Sequence, residues 1–324
     1  QCEVMGIVSG CGLRTSHCRL RTAFRLRTVF RLRTKLLHMR LSGFLLFFLL
    51  GGMIPVLPPS DVLFSGTGGP TVLKSDRDSV IFLEKQKIAP EQGPVAARTL
   101  AIARSFMGTP YVKGRLDSYK EELLTVNLRE LDCWTFVENS LAIAQTGNED
   151  FTAYQSHLQR LRYWGGNING YGSRIHYFTG WLLQAEKNGL LDDLTQEFGG
   201  IPYRKQIGYI SARPAKFPKI QDARAMKELQ AAEKRLNAHQ WHYIPQNRIA
   251  KMEHLIREGD IVSLTSAKGD LDIAHQGFAV KVNGRIHLMH ASSLSHRVII
   301  SKQPLANYVI EQKGQTGIMV ARLR

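Results

Sequence analysis

Hydrophobic and polar positions alternate in the last quarter of the chain. Residues 260–264, 275–282, 285–291, 297–300 and 317–322 alternate or run apolar between turn residues. A period of two marks half-buried strands, so this region predicts a compact antiparallel sheet. Upstream the period lengthens. Val95, Leu100, Ala101 and Phe106 predict a helix from about Pro94 to Gly108, and Phe151 to Tyr163 predicts a second, closed by Gly165-Gly166. A third is expected around Trp181 to Lys187, and Ala223 to Leu236 reads as a charged amphipathic helix. The segment from Cys133 through Leu141 and Ile143 is apolar on nearly all sides, which predicts a buried helix whose N-terminus opens into a cleft.

Asn283-Gly284 is the strongest hairpin signal in the chain. A two-residue turn there pairs Val282 with Arg285, which sets His290 opposite Gly277 and Ser292 opposite His275. Residues two apart share a face, so His275 and His290 are expected as diagonal neighbours on one face, with His287 on the other. Gly277 removes a side chain that would crowd His290. Ala279 is expected to keep the same face shallow enough for a helix to approach.

The 324 residues suffice for one large domain or two smaller ones. Nine of the 43 Lys and Arg, but one of the 27 Asp and Glu, fall in residues 1–40, so half of the formal net charge of +16 lies there. The remaining basic excess suits an anionic polymer such as a cell-wall glycan or nucleic acid and specifies neither. Residues 1–38 contain a near-repeat, Arg21-Thr22-Ala23-Phe24-Arg25-Leu26 and Arg27-Thr28-Val29-Phe30-Arg31-Leu32, and read as a non-native or disordered extension. Residues 39–59, with the apolar run Leu41 to Leu50 and a Pro-rich exit, read as a signal peptide or, if uncleaved, a membrane anchor. Either way the body is expected to be periplasmic or secreted. Residues 60–93 read as a linker or pro-segment.

Cys2, Cys11 and Cys18 lie in the N-terminal stretch, so Cys133 is the one cysteine of the body, and a cysteine-zinc site is excluded there. Asp132 suits a helix N-cap with Cys133 in the first turn, where unsatisfied amides and the helix dipole favour a thiolate. A buried structural cysteine is the alternative. A thiol attacking an amide needs an imidazole to take its proton and a group to fix that imidazole; His275 and His290 are candidates. The Cys133 amide and the Tyr111 hydroxyl could receive the oxyanion, though Tyr111 also suits plain packing. The Gly- and aromatic-rich stretch 170–178 suits either a cleft lining or packing. His239 and His242 lack a third metal ligand nearby, and Asp270, Asp272 and His275 are poorly spaced for a metal-dependent amidase.

Gly108-Thr109-Pro110-Tyr111-Val112-Lys113-Gly114, Asp132-Cys133, His275-Gln276-Gly277-Phe278-Ala279-Val280 and His290-Ala291-Ser292 resemble the NlpC-type cysteine peptidase superfamily of cell-wall hydrolases. Leu131-Asp132-Cys133-Trp134-Thr135-Phe136-Val137-Glu138, Ile207-Gly208-Tyr209-Ile210-Ser211 and His287-Leu288-Met289-His290-Ala291-Ser292-Ser293 resemble its N-acetylmuramoyl-L-alanine amidase-like branch more closely. The resemblance runs from about Ala96 to the end. It implies an α+β, papain-like core over residues 94–324, with the nucleophile helix packed on an antiparallel sheet and helical insertions. It implies Cys133 as nucleophile, His275 as general base, His290 as the third polar residue, Tyr111 as a cleft tyrosine, and Asp132 as a group that in some relatives binds the free amine of a peptide stem. The implied partner is peptidoglycan or a muropeptide, with no nucleic acid and no cofactor or metal. A stem-peptide endopeptidase and a catalytically silent wall-binding module are the alternatives. Thr135-Phe136, where the better-known branch has small residues, and the long insertion between Cys133 and His275 depart from that pattern and reshape the cleft.

Overall fold

The computed structural model describes residues 72–90 and 93–324. The expected extension over 1–38 and signal segment over 39–59 lie outside them. In chain order the helices are α1 (Asp76–Ile88), α2 (Val95–Ser105), α3 (Cys133–Thr146), α4 (Phe151–Arg162), α5 (Phe178–Lys187), α6 (Ala223–Ala238), α7 (Ile249–Met252) and α8 (Leu305–Glu311). The strands are β1 (Val72–Leu73), β2 (Leu124–Thr125), β3 (Leu191–Asp193), β4 (Ile201–Pro202), β5 (His242–Pro245), β6 (Ile261–Ser266), β7 (Ile273–Val282), β8 (Arg285–Ser292), β9 (Arg297–Ile300) and β10 (Gln315–Leu323). The architecture is mixed α/β, with an antiparallel sheet in the order β4-β5-β10-β6-β7-β8-β9 and β3 added on β10. The five helices expected from Pro94 onward match α2, α3, α4, α5 and α6 within a few residues.

The stretch expected as a linker departs from that reading within residues 72–90. Ser75 caps α1 through a capping box with Asp78, and the buried Asp78 carboxylate also accepts from the Leu128 amide at 2.9 Å. Phe82 is fully buried between Phe151 and Tyr154, with ring centroids 5.3 and 5.2 Å away. The charged residues of α1 mask its one apolar anchor when the sequence is read alone.

The hairpin register is as the turn dictates: Val282 pairs with Arg285, Val280 with His287 and Phe278 with Met289. Asn283 and Gly284 adopt the positive φ values, 49° and 82°, that such a turn demands. The period of two then divides the sheet between two cores. Phe278, Val280, Met289 and Ala291 join the core built around α3, and Phe278 packs edge-on against Phe136 at 5.5 Å. Ala279, Leu288, Val262 and Leu264 join a second core with Leu305 and Val309 of α8. Ala279 therefore lies on the face away from α3, which corrects the expected reason for its small size. Gly277 makes room for its strand neighbour: a Cβ there would fall 2.3 Å from the Met289 carbonyl oxygen and 2.9 Å from His290 Cβ.

α3 is the buried axis of the larger core, with twelve of its fourteen residues buried. Its one buried acid, Glu138, is paired with Arg162 of α4 at 2.8 Å, and Arg162 also donates to the Thr125 carbonyl at 2.6 Å. Both side chains are almost completely excluded from solvent, so each charge depends on the other to be tolerated.

Candidate active site

α3 begins at Cys133 because Asp132 caps it. Asp132 Oδ1 accepts from the Thr135 amide and hydroxyl, both at 2.8 Å, and the Thr135 hydroxyl oxygen accepts from the Asp132 amide at 2.9 Å. The first amides of the helix, Cys133 among them, have no intrahelical acceptor and carry the positive end of the dipole. Gln276 of β7 donates its side-chain amide to the Cys133 carbonyl at 3.2 Å, tying the sheet to this first turn.

A cleft opens at this end of α3. One part is walled by Cys133, Trp134, Phe178 and the consecutive residues Leu271 to Gln276. The adjoining part is walled by Gly114, Leu116, Asp117, Asp132, Arg174 and Ile175, and Trp134 and His176 belong to both. An unbroken run of lining residues shows that both faces of β7 reach the cleft at the strand's start. The β6–β7 ladder is irregular there, shifting register between the pairs Leu264–His275 and Thr265–Ile273. Such a bulge re-aims the side chains around it, so Cys133 and His275 line one cavity although the body of α3 packs on the opposite face of β7.

His275 and His290 meet as the register requires. His275 Nε2 lies 2.5 Å from His290 Nδ1, with the rings 4.7 Å apart and crossed at 87°. Burial pulls the His275 imidazole down to about 4, against the opposing pull of Asp132. Burial, with the neighbouring His275 charge second, pulls His290 well below the ordinary range. Both rings are therefore neutral at neutral pH. A proton can be accepted at His275 Nδ1 when Nε2 donates to His290 Nδ1, and His290 then carries its own proton on Nε2. That nitrogen is buried with no hydrogen-bond partner among the described residues, and Tyr308 packs against the ring at 5.3 Å.

The backbone of Tyr111 is bridged to Leu131, directly before the Asp132-Cys133 pair. Its hydroxyl is buried with no hydrogen-bond partner among the described residues, and burial, reinforced by the Asp132 charge, raises its pKa so that it stays a donor. Tyr111 is not among the residues that wall the two parts of the cleft. Asp270 is held by Arg213 at 2.5 Å, and Asp272 accepts from the Thr179 amide and hydroxyl at 2.9 Å. No cluster of three His, Cys, Asp or Glu side chains suited to a metal occurs among the described residues.

The stretch 170–178 sends Arg174, Ile175, His176 and Phe178 to the cleft. Arg174 is almost wholly buried and pairs with Asp117, while His176 donates from Nε2 to the Tyr171 carbonyl at 2.8 Å. Burial, then the Arg174 charge, pushes His176 down to about 3, so it too is neutral. Asp117, Arg174 and His176 carry no motif that identifies them one by one, whereas Trp134 and Gln276 lie within the motif stretches 131–138 and 275–280. For Arg174 and His176 the glycine and aromatic density around 170–178 was the only signal.

The family model described as AmiA-like, N-acetylmuramoyl-L-alanine amidase-like, matches residues 101–318. No curated protein matches the chain. An N-acetylmuramoyl-L-alanine amidase of Bacteroides uniformis superposes with a TM-score of 0.68 at 31% identity, covering 72% of this chain and 100% of that one. A Bacteroides fragilis protein described provisionally as a xylanase gives 0.64 at 34% identity, covering 68% and 98%. A Legionella pneumophila protein of the DUF1460 family model shares the fold at 0.58 and 20% identity, covering 76% and 94%. With two thirds of its length matched by the family model, and an amidase of the same architecture spanned end to end, this chain belongs to the N-acetylmuramoyl-L-alanine amidase-like family of peptidoglycan hydrolases.

Proposed function

We propose that the protein is an exported cysteine amidase of peptidoglycan or muropeptides, with an NlpC-type, papain-like catalytic core. The observation that carries this reading is the common cleft of Cys133, at a capped helix N-terminus, and His275, hydrogen-bonded to His290. With Cys133 as the reduced thiol, His275 Nδ1 takes its proton, the sulfur attacks the amide carbonyl, and the resulting imidazolium protonates the departing amine. Water then attacks the thioester with His275 as base and releases the acid. His290 holds the His275 ring in the useful tautomer. The Cys133 amide receives the oxyanion. Asp132 caps α3 through Oδ1, which leaves Oδ2 for a cationic group of the substrate.

The name of the Bacteroides uniformis relative favours the bond between N-acetylmuramic acid and L-alanine over a bond within the stem peptide. A glycosidase reading needs two carboxyl groups flanking the scissile bond. Of the carboxylates of this cleft, Asp117 is paired with Arg174 and Asp272 accepts from Thr179, so Asp132 with its open Oδ2 has no second open carboxyl to form such a pair.

Residues 60–324 should release products from peptidoglycan, and Cys133→Ala should abolish release. Mass spectrometry distinguishes the bonds: an intact stem freed from glycan marks an amidase, a shortened stem an endopeptidase. Unchanged turnover in Cys133→Ala, or loss with a chelator and not with a thiol alkylator, would overturn the mechanism. Export is supported by the apolar run 41–50, and periplasmic or extracellular recovery of a reporter fused after residue 59 tests it.

A further inference from the structure

The loop between β6 and β7, residues 267–272, forms part of the cleft wall and leads directly into His275. Most of its backbone lies outside the sheet ladder, so its carbonyls must find donors elsewhere. Those of Lys268, Asp270, Leu271 and Asp272 find donors in residues 203–209. The Tyr203 hydroxyl donates to the Asp272 carbonyl at 2.8 Å, and the Gly208 and Tyr209 amides donate to the Asp270 carbonyl at 3.1 and 3.0 Å. At the centre sits Lys205. Its ammonium donates to three carbonyls, those of Ser266, Lys268 at 2.6 Å and Leu271 at 3.0 Å.

We propose that Lys205 is a positioning residue for the hydrolysis: its protonated amine clamps the 267–272 loop so that the cleft wall from Leu271 to Ala274 fits the substrate against the nucleophile helix. An ammonium has three N–H donors, and three acceptors converge on it. A neutral amine has two donors and a lone pair, so loss of the proton sets that lone pair against one carbonyl and frees the loop at that point. Neither replacement reproduces the arrangement. Methionine donates nothing, and the planar guanidinium of arginine cannot converge on three points, though it keeps its charge at any accessible pH.

The clamp titrates within reach of experiment. Burial lowers the Lys205 amine to about 8, against the pull of Asp272 and Asp270. The other charged or titratable groups around it are Lys268 on the loop, whose ammonium lies over the Tyr209 ring, Arg213 bound to Asp270, Tyr203, whose ring lies 5.1 Å from the Lys205 ammonium, and Tyr243, tilted at 52° against Tyr203. Because the folded amine has the lower pKa, this group adds stability as pH rises from about 8 toward 10.5. A loss of activity over that interval is then not unfolding caused by this group.

The proposal rests on the cleft being catalytic, and the test separates the two. With residues 60–324 and soluble muropeptides, Lys205→Met should raise KM about tenfold with a smaller change in kcat, the scale set by a lost charge-assisted hydrogen bond. Wild type should lose kcat/KM above about pH 8, while Lys205→Arg, slower at neutral pH, should hold its value over that range. Hydrogen exchange of residues 266–274, corrected for intrinsic rates, should quicken in Lys205→Met even when Cys133→Ala is also present. That readout needs no activity, so it stands or falls apart from the cysteine mechanism. A wild-type KM in folded Lys205→Met, or an alkaline fall in Lys205→Arg matching wild type, overturns the clamp. If Lys205→Met does not fold, the Lys205→Arg profile alone decides.

Discussion

His275 and His290 share one short hydrogen bond, Nε2 to Nδ1 at 2.5 Å, between rings set nearly at right angles. The bond fixes which nitrogen of His275 is left for the cleft. Replacing His290 with alanine should lower kcat about 100-fold with little change in KM, because an orienting partner is lost and no substrate contact. His290→Asn, whose amide oxygen can still accept a hydrogen bond from His275 Nε2, should recover part of it. Full kcat in His290→Ala would show that the His275 ring needs no such partner.

The same burial makes stability depend on acid. His275 falls from 6.5 to about 4 in the folded chain, so between those values the unfolded chain binds the extra proton. The contribution is therefore present above about pH 6.5 and is lost as pH falls toward 4, amounting to up to about 3 kcal/mol from this residue. His176, driven to about 3, acts in the same direction. Urea midpoints at pH 7.5 and 4.5 should differ accordingly, and the difference should shrink in His275→Gln. An equal difference in that variant would assign the acid sensitivity elsewhere.

Asp132 caps α3 and is proposed to bind a substrate amine, and its asparagine and alanine variants separate the two roles. Asparagine caps a helix about as well as aspartate, whereas alanine costs about 1 kcal/mol. Asp132→Asn should thus leave thermal stability nearly unchanged while raising KM for muropeptides that carry a free amine. If Asp132→Asn and the wild type bind such muropeptides equally, the residue is a cap and no more.

Gly277→Ala tests the packing of the hairpin. The added methyl would meet the Met289 carbonyl oxygen, a backbone atom that cannot swing away, as well as His290 Cβ. Destabilisation of about 1–3 kcal/mol is expected from such overpacking, with a loss of kcat as His290 shifts. Chemical denaturation and steady-state kinetics on the same preparation measure both.

The β7–β8 hairpin was legible because Asn283-Gly284 sets its register without help from the rest of the chain, and the meeting of His275 with His290 follows from counting. The face that α3 covers was not legible. Gly277 makes room for His290 as the pairing implies, but Ala279, whose small size suggested an approaching helix, belongs to the second core. α1 was hidden by its charge, although Ser75 and Asp78 spell a capping box. Asp117 and Arg174, 57 residues apart, come together only through the fold, and no spacing rule links them.

The confinement of α3 has one last consequence. Its buried length is gripped by the Glu138–Arg162 pair and the sheet, and the Cys133 carbonyl is held by Gln276. A helix so enclosed cannot shift to suit a different substrate. Redesign aimed at another stem or another bond should leave it untouched and vary the chain around 114–117, 174–176 and 271–274, the three stretches that supply most of the remaining cleft wall.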